Sequence, residues 1–174
     1  MDPLFMNIDE VNKLPSHQFI KIFGNIVEHY PAAAIDILKN RPFRDVGDIS
    51  DAVNSYLDSF NEHDMTKIVQ LYPDLAGKIA DLDKLSPEST YEQISAGIFY
   101  ISANSKRRLI CMNKQYRAKF GFPYIICVLG KKNTSEILDD MESRLRNGNE
   151  EELYTAIDEV KKICRLRLLR LIKQ

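Results

Sequence analysis

Arg167 is the residue whose type and spacing most need explaining. The last helical pattern carries an apolar stripe of Leu153, Ile157, Val160, Ile163, Cys164, Leu168 and Leu171, and Arg167 falls in phase with it. Side chains three and four apart on a helix share a face, so this arginine points with the stripe toward the core. A buried guanidinium is costly unless paired. Its planar fork suits a carboxylate taken through two N–H groups, from the protein or from a ligand. The competing reading is a frayed helix end, with Arg167 reaching water. A second set, Ser89, Glu92, Gln93 and Ala96, also shares one helical face, and the apolar face of that helix reads as Tyr91, Ile94, Ile98 and Ile101. A hydroxyl, a carboxylate and an amide beside a small side chain would suit a polar pocket, but the pattern alone favours an ordinary solvent face. Tyr72 is in phase with Met65, Ile68 and Val69, which makes it a core tyrosine with a satisfied hydroxyl. Asp74, after Pro73, is expected to cap the turn Leu75-Ala76-Gly77. The run Phe120-Gly121-Phe122-Pro123-Tyr124-Ile125-Ile126-Cys127 is apolar, aromatic and broken by one Gly and one Pro. A buried segment outside a helix leaves backbone donors and acceptors that no ladder satisfies, and these suit a flat, amide-rich ligand.

The elements that must position these residues are mostly helical. Ser16 is expected to cap a helix carrying Phe19, Ile20, Phe23, Ile26, Val27 and Tyr30, stopped by Pro31, which can open the next. Ser50, Asp64, Ser105, and Thr134 or Ser135 are read as further caps, Ser86-Pro87 as a helix start, and Gly121 and Gly148 as helix ends. The final helix is expected from about Glu150 to near the end. Residues 122–129 alone are rich in β-branched and aromatic side chains, which suits a short strand or extended buried segment, although no partner strand is evident. The expectation is an all-α, single-domain bundle of about seven to nine helices with one extended segment near 122–129. It would span residues 6–174, with residues 1–5 an extension or cloning remnant before the natural-looking start at Met6.

The chain has 174 residues, 44% hydrophobic and 28% charged, which suits one soluble domain with a real core. A net charge of -1 gives no general attraction to nucleic acid. No apolar run approaches the roughly 20 residues of a membrane helix, and no signal peptide is visible. Cys111, Cys127 and Cys164 are far apart in apolar runs, as reduced core thiols of an intracellular protein would be. His17, His29 and His63 fall in different elements, so no metal site is expected. There is no phosphate loop, nucleophile elbow or His-Glu-x-x-His helix. Catalysis, if present, would be cofactor-free or built from scattered polar groups.

The motifs Tyr72-Pro73-Asp74-Leu75-Ala76-Gly77-Lys78, Ser89-Thr90-Tyr91-Glu92-Gln93 and Phe120 to Cys127 make the chain resemble the OHCU decarboxylases over nearly its whole length. Arg41-Pro42-Phe43, Asn113 with Tyr116, and Leu166-Arg167-Leu168 fall in the same order as in that family. The resemblance implies an all-helical, often homodimeric protein that removes the C4 carboxylate of 2-oxo-4-hydroxy-4-carboxy-5-ureidoimidazoline. The product would be (S)-allantoin, in urate degradation. No cofactor is implied, because the leaving carboxylate lies β to a C=N bond of the substrate. The implied partner is that small ureido-imidazoline, with no nucleic acid and no membrane. The implied compartment is the cytoplasm or the peroxisome, although Leu171-Ile172-Lys173-Gln174 is no peroxisomal address.

Carried onto this sequence, Arg167 and Gln93 would anchor ureido and ring oxygens, and Ser89 and Glu92 would bind the polar end and orient the acid–base group. Pro73, and backbone groups near Phe122 and Ile125, would cradle the ring. Position 72 would transfer the proton, and there the family pattern His-Pro-Asp-Leu-Ala-Gly departs from Tyr72. A histidine titrates near pH 6.5 and a tyrosine near 10. The nearby Arg167 is expected to pull the phenol down. The rival readings are a catalytically inactive relative that binds a ureide or a protein partner, and a helical interaction module using its basic last helix.

Overall fold

Most helices in this chain begin where a side-chain oxygen takes a free first-turn N–H. The structure, a computed structural model, describes residues 5–76, 85–129 and 133–174. Among these are nine α-helices: α1 (Ile8–Lys13), α2 (Ser16–Phe23), α3 (Ala32–Ile37), α4 (Val46–Asp58), α5 (Glu62–Val69), α6 (Pro87–Ser95), α7 (Ala103–Phe120), α8 (Thr134–Arg144) and α9 (Asn149–Leu171). Asn7, Asp45, Asn61, Ser86, Ser102 and Asn133 are the side-chain caps. Several therefore sit upstream of the residues expected from sequence. Asp64 and Ser105 are not caps: each donates its backbone N–H to the true cap, Asn61 and Ser102. Asn133, not Thr134 or Ser135, caps α8 in a reciprocal box with Glu136. Ser50 lies buried inside α4, and Pro15 rather than Ser16 precedes α2. Polar residues are abundant through a whole first turn, so a pattern that seeks the last polar residue before the apolar stripe selects one too far along.

Two helix ends also differ. α8 stops at Leu145, and Gly148 instead sits at the N-cap of α9. α2 ends at Gly24 rather than running to Pro31. Residues 24–30 form an irregular turn in which Asn25 Oδ1 accepts the His29 N–H at 2.8 Å. His29 there has a left-handed φ of 50°.

The expected all-α architecture is what the described residues adopt. They contain no strand, only an isolated parallel bridge where Met6 lies beside Ile172. No described helix is long and apolar enough to cross a membrane. α9 is the central element and packs against α4, α5 and α7. Its Val160, Cys164 and Leu168 are buried, as the apolar stripe read in the sequence predicts. Cys111 on the outer face of α7 is exposed and Cys127 half-buried, so of the three cysteines only Cys164 is a core thiol. α7 ends at Gly121, whose φ of 77° is left-handed and favours glycine. A Cβ there would meet nothing within 4 Å, so only backbone strain opposes a side chain. Gly121→Ala is expected to lower stability by about 1 kcal/mol in urea denaturation, with turnover little changed. After Gly121 the chain runs extended and buried from Phe122 through Val128, without a strand partner among the described residues.

Candidate active site

α6 places its polar face, not its apolar one, against the core. Ser89, Glu92 and Gln93 are buried, whereas Tyr91 and Ile94 are 45% and 49% exposed. This overturns the solvent-face reading. The reason lies on α9, where Arg167 is only 2% exposed and supplies a charge that α6 answers with a carboxylate. Arg167 Nε donates to Glu92 Oε1 at 2.7 Å and Nη2 to Glu92 Oε2 at 3.1 Å, a two-point grip on one carboxylate. The frayed-end reading of Arg167 fails with it.

Glu28 is a residue the sequence did not reveal. It is fully buried; its Oε2 accepts from Arg167 Nη2 at 2.7 Å and from Ser89 Oγ at 2.7 Å. Burial pushes its carboxyl up, but the Arg167 charge and hydrogen bonds from Ser86, Ser89 and Arg167 outweigh that and hold it below its ordinary value. In the expected helix through Tyr30, Glu28 falls off the apolar stripe and reads as solvated. The early end of α2 turns it inward, and no local pattern signals that. The remaining Arg167 contact, Nη1 to Asn25 O at 2.8 Å, lies in the same irregular turn. Arg167 stays firmly cationic: burial opposes its charge, but Glu92 and Glu28 raise its pKa further.

A small cavity opens between α6, the end of α5 and the extended segment. Tyr72, Pro73, Ser89, Glu92, Gln93 and Ile125 all line it, so six of the expected site residues meet there. Two do not line it. Phe122 packs into an aromatic cluster, with its ring centroid 5.8 Å from Phe120 and 6.0 Å from Tyr116. Arg167 stands behind Glu92 and borders a separate cleft with Asn25, Glu88 and Arg170. Gln93 Oε1 accepts the Ala76 N–H at 3.0 Å, and Asn113 Nδ2 donates to Leu75 O at 3.0 Å, which together fix the turn after Pro73. Asp74 Oδ1 accepts from Arg117 Nε at 2.7 Å, and its expected capping of the turn through Gly77 involves residues outside the described ones. Gly77 and Lys78 lie outside the described residues.

Tyr72 is a buried tyrosine, as its phase implied, and its hydroxyl oxygen accepts the Glu28 N–H at 3.3 Å. The expected fall of its pKa is wrong in sign. Burial dominates, the nearby Cys164 thiol adds to it, and Arg167 offsets them only in part, so the phenol is raised well above its usual 10. Its ring lines the cavity while its hydroxyl faces Glu28 and Cys164.

A profile of the OHCU decarboxylase family matches residues 12–169. The chain belongs to the OHCU decarboxylase family. Relatives agree: the 2-oxo-4-hydroxy-4-carboxy-5-ureidoimidazoline decarboxylase of Amia calva is 38% identical over 168 residues, covering 97% of this chain and 95% of that protein. The Xenopus laevis protein of the same name is 38% identical over 164 residues, covering 94% and 93%. Among solved structures, a crystal structure of (S)-allantoin synthase superposes with a TM-score of 0.76 at 19% identity, over 96% of this chain and 54% of that one. An OHCU decarboxylase crystallised in the presence of (S)-allantoin gives 0.68 at 22% identity, over 85% and 95%. At those identities the superpositions speak for the fold. The cavity of this OHCU decarboxylase family member brings Ser89, Glu92 and Gln93 together with Tyr72.

Proposed function

We propose that this chain removes the C4 carboxylate of 2-oxo-4-hydroxy-4-carboxy-5-ureidoimidazoline and releases (S)-allantoin in urate degradation. The observation that carries this reading is Glu92, a buried carboxylate on the cavity wall, gripped from behind at two points by Arg167. Loss of CO2 leaves the C4–C bonding pair to form C4=C5, and the C=N π pair moves onto nitrogen, which takes a proton from solvent. The resulting enol needs its hydroxyl proton moved from the C4 oxygen to one face of C5. Glu92 is placed to accept and return that proton, while Ser89, Gln93 and Pro73 orient the ligand. Arg167 then acts as the charge that orients Glu92 rather than as a direct anchor, because its guanidinium already serves Glu92, Glu28, Ser89 and Asn25. Tyr72 shapes the wall, and the reaction runs slowly for want of a second acid–base group.

The test generates the substrate from urate with the two upstream activities and follows optically active allantoin by circular dichroism. Acceleration over spontaneous decay with an S excess is expected; neither appearing would sink the reading. Glu92→Gln keeps one acceptor oxygen for Arg167, loses the other because an amide nitrogen only donates, and removes the proton carrier, so kcat is expected to fall about 10² to 10⁴-fold while the far-ultraviolet spectrum is unchanged. The buried Tyr72 hydroxyl favours one second reading: a relative that binds the ureide without turnover. Calorimetric binding of (S)-allantoin with no catalysis would establish it. We also propose a homodimer, supported by Tyr91, Ile94 and Tyr100, which are 45%, 49% and 82% exposed along and just beyond α6. Light scattering reads that mass directly.

A further inference from the structure

A second buried charge cluster lies behind the extended segment, and the proposed chemistry does not use it. Arg144 on α8 is 5% exposed and Glu152 on α9 is fully buried. Arg144 Nε donates to Glu152 Oε1 at 2.6 Å. The Tyr116 hydroxyl donates to the same oxygen, and Asn147 Nδ2 donates to Glu152 Oε2 at 2.9 Å. The guanidinium carbon of Arg144 lies 4.5 Å from the Tyr124 ring centroid, and the Tyr124 hydroxyl donates to Asp140 Oδ2 at 2.5 Å. An apolar group of similar volume often replaces a buried ion pair at no loss of stability. Folding alone therefore gives little reason for this one.

The remaining arm of Arg144 suggests a reason. Nη1 donates to the Ile125 carbonyl at 2.6 Å. That carbonyl belongs to the stretch of extended chain whose Tyr124, Ile125 and Ile126 line the cavity opposite Ser89 and Glu92. In a trans peptide the C=O and the following N–H point in opposite directions. With the Ile125 carbonyl held on the Arg144 side, the Ile126 N–H is turned away from Arg144, and none of the described residues accepts from it.

We propose that Arg144 is a positioning residue that holds the Ile125–Ile126 peptide so that the Ile126 N–H is a fixed donor to an oxygen of the bound ureide. The inference rests on the decarboxylase reading for the ligand's identity. Glu152 and Tyr116 hold Arg144, Arg144 holds the peptide, and the peptide meets the ligand. A guanidinium can do this because its donors diverge in one plane; an ammonium is a single point charge.

Arg144→Lys keeps a cation beside Glu152 but cannot serve both Glu152 and the Ile125 carbonyl in that geometry. Its affinity for (S)-allantoin is expected to fall about threefold to tenfold, the range for one lost hydrogen bond. KM should rise by a similar factor, with kcat changing less. The companion measurement is the amide spectrum of the unmodified protein titrated with (S)-allantoin. There the Ile126 N–H resonance should shift downfield, and in Arg144→Lys that shift should shrink while the Gln93 side-chain amide still responds. If Arg144→Lys does not fold, the unmodified protein alone decides. An Ile126 resonance that stays still while Gln93 moves overturns the inference and leaves the functional reading standing. A protein in which neither resonance moves overturns both. Parent-like affinity in a folded Arg144→Lys overturns the positioning role.

Discussion

Arg167→Met is expected to lower folding stability by about 3 to 5 kcal/mol at neutral pH, the usual cost of leaving a buried charge unpaired. Methionine fills much of the volume, so the loss reports charge more than packing. The arginine currently answers two buried carboxylates at once, Glu28 and Glu92, each at 2.7 Å. The pH dependence makes the prediction sharper. In the parent, Glu28 titrates below its ordinary value of 4.5. A carboxyl lowered on folding contributes stability that is full above the unfolded pKa and lost as pH falls through the folded one. The parent should therefore weaken in acid. Without Arg167, the main lowering influence is gone and burial remains, so Glu28 should titrate above its unfolded value. Its contribution then changes sign: the penalty is full at high pH and vanishes as pH falls through the raised folded value toward 4.5. Urea midpoints at pH 7.5 and pH 5 read this directly. The parent should change little over that interval, and Arg167→Met should gain stability at the lower pH. Adding Glu28→Gln should recover part of the loss at neutral pH, because an amide is cheaper to bury than an unpaired carboxylate. A variant with parent-like stability and the parent's pH slope would mean that the cluster carries no net charge strain.

How much of this was legible in sequence follows from where each signal lives. Arg167 was legible because a long, regular helix keeps phase, and one cation in an apolar stripe stands out. The extended wall was legible because Gly121 and Pro123 break a helix while the residues around them stay apolar. The inversion of α6 was not. The helix is nine residues long and its Tyr91 and Ile94 outweigh Ser89, Glu92 and Gln93 on any hydropathy measure, so the pattern pointed the wrong face inward. What decides the orientation is a charge 75 residues away in sequence, which local periodicity cannot see. Glu28 was hidden for a related reason. Its position depends on α2 ending at Gly24, and the apolar spacing through Ile26, Val27 and Tyr30 continues past that point. Those side chains are inside because the turn is packed, not because it is helical. The resemblance to the family supplied what periodicity could not, the expectation that Ser89, Glu92 and Gln93 act together, and the three line one cavity.

Tyr72→His is expected to raise turnover by about 10² to 10⁴-fold, the usual worth of a well-placed acid–base group. The gain follows from what the phenol cannot do here. Its burial and surroundings hold it protonated far above neutrality, and its hydroxyl oxygen is turned toward the Glu28 N–H. An imidazole is shorter and titrates near neutral pH, so on the same wall beside Glu92 it can both take and return a proton. The exchange has a structural cost. The Glu28 N–H loses its 3.3 Å partner, which is worth about 1 kcal/mol unless the new ring accepts from it. The variant should therefore be slightly less stable and much faster, a combination that improved folding cannot mimic. The rate of (S)-allantoin formation, followed by circular dichroism, should also acquire an acid limb near pH 6 to 7 that the parent lacks, marking imidazole titration. If the rate stays at the parent level while allantoin binding is intact, the missing group is not at position 72. If Tyr72→Phe loses as much turnover as Glu92→Gln, the buried phenol is itself the working acid, and the division of labour between Glu92 and Tyr72 must be redrawn.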